Sequence, residues 1–359
     1  MLTNFFYSQR MLSYDWGPRH PLRPVRLKRT MDLLRALGAV GDVEPPECTD
    51  SEVLRVHSRE YVEAVKSLSA RRDRSAEARF GFGSGDCPAF DGMHDAAMTY
   101  VSGSVAAALA VRDGASRAFN LSGGLHHAQR SRASGFCIYN DPAIACAILR
   151  ERFDRVAYVD IDLHAGDGVQ ALFAHDPTVL TISIHQDPST LYPGTGFAEE
   201  GLEAVAVMNI PVAPGTTGDV WLDAFRRCAL PALEAFEPGA VVLQMGTDAH
   251  DLDPLGHLSV SVQHWRAAAV AVSETGLPIV ALGGGGYEMS TVPRMWVSAS
   301  MALGGLSLPD ALPADLVQGW GPTVIDDPEE MVITGRGKEF AKEIVQFNRE
   351  RILPRLAAL

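Results

Sequence analysis

Six short runs of this chain are apolar almost from end to end: AFNLSG (118–123), VAYVDID (156–162), VLTISIH (179–185), VAVMNIPV (205–212), AVVLQMG (240–246) and PIVALGG (278–284). A strand with one wet face alternates apolar and polar residues, whereas a strand covered on both faces does not. These runs therefore predict parallel strands with helices packed on either side. Segments with helical apolar spacing lie before, between some of, and after them, at about 91–112, 141–152, 218–236, 261–275 and 290–304. Residues 335–357 read as a closing helix and 306–334 as a turn-rich stretch. The alternation predicts an α/β fold: a doubly wound, mostly parallel sheet flanked by helices. No internal repeat or low-complexity stretch interrupts it, so 1–359 reads as one domain.

Charge and cysteine usage narrow the function. The formal net charge is −13, which opposes an electrostatic grip on nucleic acid or an anionic membrane. The five cysteines are scattered and form no C-x-x-C pair, so neither a disulfide framework nor a thiolate zinc site is expected. The opening MLTNFFYSQRMLSYDWG lacks the apolar core of a signal peptide, and no run is long enough to span a bilayer. The expectation is a soluble, cytoplasmic protein.

Most of the apolar runs end in polar residues: GGLHH, LHAGDG, QDPST, TDAHD and GGYE. If the strands are parallel, these ends share one rim, where open α/β sheets bind ligands. In VAYVDIDLHAGDG, residues Asp160, Asp162 and His164 are spaced i, i+2, i+4. If the strand persists through them, all three side chains share one face. Two carboxylates and an imidazole cannot be buried bare, and a divalent cation such as zinc satisfies them. Asp248, in QMGTDAHD, is a plausible third ligand. His126 and His127, adjacent in SGGLHHAQRSRASGF, suit proton transfer, with Asp160 and Asp167 as candidate carboxylates behind them. GGGGYE lacks the residues of a phosphate cradle; its glycines instead let the backbone pack closely and present Tyr287 at the rim, where a hydroxyl can donate to an oxyanion.

Taken in order, SGGLHHAQRSRASGFCIYND, VDIDLHAGDGVQ, TLYPGTG, QMGTDAHDLDPLGHLSVS and LGGGGYE resemble the zinc-dependent histone deacetylase family. HPLRPVRLKRT and GDCPAFDG extend the likeness toward the N-terminus, and DAHDLDPLGHLS looks most like the bacterial acetoin-utilisation deacetylases, close to class I. The resemblance implies the arginase/deacetylase fold and hydrolysis of an acetyl-lysine amide. It implies zinc on Asp162, His164 and Asp248. It implies His127 as general base and acid, His126 as electrostatic helper, Asp167 and Asp160 behind them, and Tyr287 polarising the carbonyl. Phe136 and Tyr192 would wall an acyl-lysine tunnel lined by Gly135 and Leu255. Asp86 would hold the substrate backbone at the rim, and Arg26 would lie on an internal acetate channel. A structural potassium ion is implied near Asp160, Asp162, His164, Ser183 and Ile184.

Some positions depart from the family pattern. Ala165 stands where a second histidine is common, Thr247 replaces an alanine, and Tyr192 replaces a phenylalanine, adding a hydroxyl to the tunnel wall. An O,N,O site with open positions also accepts iron or cobalt. Three other readings stay open. An acetylpolyamine amidohydrolase would apply the same chemistry to an acetylated small amine. A dimanganese ureohydrolase would need a second ligand set, for which Asp251 and Asp253 are the nearest acids. A non-catalytic acyl-lysine binder would lack a ligand, the base or the tyrosine, all of which are present.

Overall fold

The computed structural model describes residues 1–71, 77–83, 85–329 and 332–359. All six apolar runs form strands: β1 (Arg117–Asn120), β2 (Val156–Asp160), β3 (Val179–Gln186), β4 (Val207–Val212), β5 (Ala240–Gln244) and β6 (Ile279–Leu282). They lie in one sheet of order β1-β6-β5-β2-β3-β4, and every pairing is parallel. Their residues are buried on both sides, which is why they carry no alternating pattern.

Each face of the sheet builds its own core. Ala157 and Val159 of β2 face a cluster with Trp221, Trp265 and Trp296, from helices Gly218–Phe236, Val262–Ser273 and Val292–Leu303. Val156 and Tyr158, pointing the other way, join Tyr61, Tyr100 and Ile144, from helices Arg59–Ser69, Met93–Arg112 and Asp141–Leu149. Strand geometry alone produces this division, because successive side chains alternate between faces. Helices Val25–Ala36 and Arg59–Ser69 were not among the helices expected from the sequence. Their apolar stripes are short, and charged residues separate them: Leu27, Met31 and Leu34 in one, Tyr61, Val65 and Leu68 in the other. Of the turn-rich stretch 306–334, residues 330 and 331 lie outside the described residues.

The strand order places the site. From β2 the sheet grows through β3 to β4; the chain then returns to the other side of β2 with β5 and β6. The crevice between β2 and β5 is thus a topological switch point, where loops diverge and leave room for a ligand. Asp162 and His164 follow β2, and Asp248 follows β5.

One expectation fails locally. β2 stops at Asp160, so Asp160, Asp162 and His164 do not share a strand face. The chain turns instead: the Asp162 N–H donates to Asp160 Oδ1 and the His164 N–H to Asp162 Oδ1. These side-chain acceptors replace ladder partners and peel the backbone out of the sheet. The glycine-rich stretch after His164 is short, because a helix, Asp167–Phe173, begins at Asp167 itself.

A candidate metal centre and paired histidines at the sheet's switch point

Asp162, His164 and Asp248 are all buried, and a donor atom from each lies within 4.8 Å of the others. His164 Nδ1 stands 3.2 Å from Asp162 Oδ1 and 3.1 Å from Asp248 Oδ2. Ligands roughly 2.0 Å from a tetrahedral ion sit about 3.3 Å apart, so the spacing suits zinc. The electrostatics agree. Burial pulls the His164 imidazole down, but Asp162 and Asp248 outweigh it and hold it up at about 10. Two buried carboxylates thus call for positive charge between them.

The ligands are oriented from behind. Asp162 Oδ2 accepts from Gln244 Nε2 at 2.9 Å and from the Gly285 N–H at 2.9 Å, and Asp248 Oδ1 accepts from the Leu163 N–H at 2.9 Å. Such partners fix ligand direction and tune basicity. Two glycines make the approach feasible. A Cβ at Gly246 would stand 1.8 Å from Asp162 Oδ2, and one at Gly285 would stand 2.2 Å from Asp248 Oδ2. Asp251 and Asp253 do not form a second metal cluster; among the described residues only the Asp162, His164 and Asp248 group meets that geometry.

Beside this trio, His126 and His127 follow β1 on a buried loop. Asn140 holds the loop through its Nδ2, which donates to the carbonyls of His126 and Ala128, and Asp141 accepts from the N–H groups of Gly124 and Leu125. His126 Nδ1 is 2.7 Å from Asp160 Oδ2, and His127 Nδ1 is 2.6 Å from Asp167 Oδ1. The two Nε2 atoms face each other at 3.0 Å. With each Nδ1 proton committed to a carboxylate, that contact needs one further proton, carried by one ring and accepted by the other. Burial opposes charge on His126, but Asp160 and Asp162 overcome it and hold the imidazole up at about 9. Burial and the positive His126 push His127 below its ordinary 6.5, against the pull of Asp167. The surroundings thus favour the shared proton on His126 and leave the His127 Nε2 as its acceptor.

A narrow cavity opens onto this chemistry. Of the residues expected from the sequence, His126, His127, Asp162, His164, Gly135, Phe136 and Tyr287 line it; Leu22, which was not anticipated, lines it too. Phe136 takes a left-handed backbone (φ 65°), and Tyr14 Oη donates to its carbonyl at 2.8 Å. Such strain in a non-glycine residue costs roughly 1–3 kcal/mol and persists where surroundings enforce it. A Cβ at Gly135 would strike the His127 ring at 2.1 Å, so this wall lies directly on the base. Burial, then Asp248 and Asp162, push the Tyr287 hydroxyl well above 10 and keep it a donor.

Tyr192, Asp86, Arg26 and Leu255, expected on the substrate and acetate path, are not in this lining. The Tyr192 ring packs edge-on against His127, with centroids 5.0 Å apart, and its hydroxyl lies 2.6 Å from Ser134 Oγ. That is the hydrogen bond its extra hydroxyl offered. Asp86 Oδ2 accepts from the Gly135 N–H at 2.9 Å. The buried Arg26 Nη1 donates to the carbonyls of Gly284 and Gly286 at 2.8 and 3.0 Å, beneath the Tyr287 loop. Leu255 is half-buried. Gln244, Tyr158, Asn140 and Asp141 were missed. A partial signal was present for three of them, a lone glutamine in AVVLQMG and an Asn-Asp pair before a proline-led helix, but neither names its distant partner.

The likenesses to known proteins follow this geometry. The model of the histone deacetylase domain matches residues 20–303. The acetoin utilization protein AcuC of Bacillus subtilis is 38% identical over 331 residues, covering 88% of this chain and 86% of its own. Histone deacetylase 1 of Oryza sativa is 34% identical, covering 86% of this chain and 61% of its own. The crystal structure of an HDAC homolog from Aquifex aeolicus superposes with a TM-score of 0.89 at 26% identity, covering 96% of this chain and 99% of that one. With the match running from residue 20, ahead of helix Val25–Ala36, through the helix after β6, this chain belongs to the histone deacetylase family.

Proposed function

We propose that the whole chain, 1–359, is one zinc-dependent deacetylase that removes acetyl groups from Nε-acetyl-lysine in a protein or peptide. The family acts on acetylated substrates; the acetyl-lysine assignment is ours. The observation that carries it is one cavity lined together by Asp162, His164, His127 and Tyr287. Asp86 supports a peptide substrate, because its Oδ1 has no hydrogen bond to the described residues and is left to accept a substrate N–H.

Asp162, His164 and Asp248 would hold the zinc, which when bound polarises an acyl carbonyl and lowers the pKa of a water. His127 Nε2 takes a proton from the attacking water. Asp167 fixes the tautomer at Nδ1 and stabilises the imidazolium that results. Tyr287 donates its hydroxyl to the carbonyl oxygen as negative charge grows there. His126, already protonated, keeps a positive charge beside the reacting centre, with Asp160 as its counter-ion. His127 then gives its proton to the leaving amine, and acetate and a free lysine side chain depart. Gly135, Phe136, Tyr192 and Leu255 are assigned to the substrate tunnel. Arg26, a buried guanidinium with no carboxylate bonded to it among the described residues, is assigned to the departing acetate.

A structural potassium ion is proposed beside Asp160, Asp162, His164, Ser183 and Ile184. The register supports it, setting Asp160 opposite Ser183 where β2 meets β3, and strand-end carbonyls are apt ligands for such an ion. A cytoplasmic setting is proposed from the five free thiols. No helix of the described residues is long and apolar enough to cross a membrane.

The test is turnover measured side by side on an acetyl-lysine peptide and an acetylated polyamine, with metal content determined on the same sample. Higher kcat/KM on the peptide with about one zinc per chain is expected. Preference for the polyamine would transfer the assignment to an acetylpolyamine amidohydrolase. Two divalent ions per chain would overturn the single-zinc site.

A further inference from the structure

Asp253 lies five residues past Asp248 on the loop that follows β5, and only 5% of it is exposed. It is not one of the metal trio and does not line the cavity. Yet both of its oxygens are engaged. Oδ1 accepts from the Leu255 N–H at 3.0 Å. Oδ2 accepts from the Tyr287 N–H at 2.7 Å and from the Glu288 N–H at 3.3 Å. One carboxylate therefore ties the loop bearing Asp248 to the loop bearing Tyr287.

The second loop is held at Gly283 and Gly285 by hydrogen bonds with Asn120, Met245, Thr247 and Asp162, and the Tyr287 N–H that follows them goes to Asp253. Residues 283–286 are glycines, and Gly284 and Gly286 have φ of 145° and 125°, where side chains are rarely accommodated. Such a segment is conformationally free unless its backbone is held. Arg26 grips the carbonyls of Gly284 and Gly286 from one side, and Asp253 takes the next N–H along. Together they bracket Tyr287.

We propose that Asp253 is a positioning residue for the reaction: its carboxylate sets where the Tyr287 hydroxyl stands over the acyl carbonyl. This rests on the deacetylase reading above. The chemistry explains why an acid is needed. All three partners are N–H donors, and a carboxylate offers only acceptors. An asparagine would turn an NH₂ toward either the Leu255 or the Tyr287 N–H, opposing donor to donor. A displacement of about 1 Å at a reacting group can cost on the order of 10²-fold in rate.

The test is a double-mutant cycle of Asp253→Asn with Tyr287→Phe in the zinc-loaded full chain, on an acetyl-lysine peptide. Asp253→Asn alone should lower kcat by about tenfold or more, with KM and metal content close to those of the parent. In the Tyr287→Phe background, where no hydroxyl remains to misplace, the same change should cost less than about threefold. An equal loss in both backgrounds, a fall in bound zinc, or a kcat within threefold of the parent would each overturn the proposal. A second readout needs no turnover. The chain has eight tyrosines, so in ¹⁵N-tyrosine-labelled protein the Tyr287 amide is the cross-peak lost in Tyr287→Phe. That peak should move upfield in Asp253→Asn as its carboxylate acceptor is lost. If it moves but the wild-type chain turns over no acetylated amide, the tether stands and the deacetylase reading falls. If it does not move, the tether falls whatever the activity. Asp253→Ser, which keeps one oxygen, carries the same measurements if the asparagine variant does not fold, and failure of both to fold would make Asp253 a folding determinant instead.

Discussion

His126–Asp160 and His127–Asp167 have the same chemistry and opposite behaviour. In each, Nδ1 meets a carboxylate at 2.6–2.7 Å. Asp160, however, is fully buried at the end of β2 and shares its Oδ2 with the Tyr158 hydroxyl. The side chain of Asp167 is 16% exposed at the first turn of a helix, and its second oxygen takes Gln129 Nε2. His126 has a second carboxylate, Asp162, 3.9 Å from its Nε2, whereas His127 has the charged His126 beside it. The first ring is held up at about 9 and the second is pressed below 6.5. Two like groups are thus pushed in opposite directions by their surroundings, as the proposed roles of charge holder and base require.

Exchanging these roles would show first in His127→Ala. That variant should lose about 10³ in kcat, with circular dichroism unchanged; a loss of tenfold or less would remove His127 from proton transfer. Asp160→Asn should act on the fold instead. It strips the counter-ion from a buried imidazolium and should destabilise the chain by about 3 kcal/mol, read as a lowered urea midpoint. Asp167→Asn, at the wetter pair, should leave that midpoint nearly unchanged and slow turnover by roughly tenfold to a hundredfold. Equal effects of the two asparagines on stability would erase the contrast. His126→Ala should cost only about tenfold in kcat, since charge is removed beside the reaction but no proton path is lost. The smallest effect is the sharpest. The acid arm of kcat/KM reports the base, which must be neutral, so activity falls as pH drops through the His127 value, below 6.5. Removing His126 removes one of the causes that hold that value down, while burial and His164 stay. The arm should therefore move to higher pH in His126→Ala. An unmoved arm would mean that His126 does not set it.

The sheet was legible in the sequence because burial on both faces writes itself as uninterrupted apolar runs, and all six became strands. Parallel order then brings separate polar tails to one rim, so Asp162, His164 and Asp248 were readable as a group although the last is 84 residues from the histidine. The local reasoning about Asp160 failed for a physical reason. Period-two arithmetic assumes a continuing ladder, and nothing in VDIDLH says that aspartates will cap their own backbone and end the strand. The partners behind the ligands were hidden differently. Gln244 and Asn140 matter through bonds to residues 82 and 14 positions away, and a local pattern does not carry such distances. Leu22 was unreadable because a leucine at a cavity wall and one in a core look alike along the chain.

The switch point has a consequence for how the molecule comes into being. During synthesis, the segment that supplies Asp162 and His164 emerges well before the one that supplies Asp248. A nascent chain ending before β5 has two donors of a three-donor site and half a sheet against which to hold them. Any cation bound there becomes fully ligated only when β5 slots in beside β2, so its binding free energy rewards a late long-range pairing rather than the first. The ion would act as a latch on that pairing. A chelator would then be expected to speed the finished protein's unfolding while leaving the early, local steps of its folding untouched.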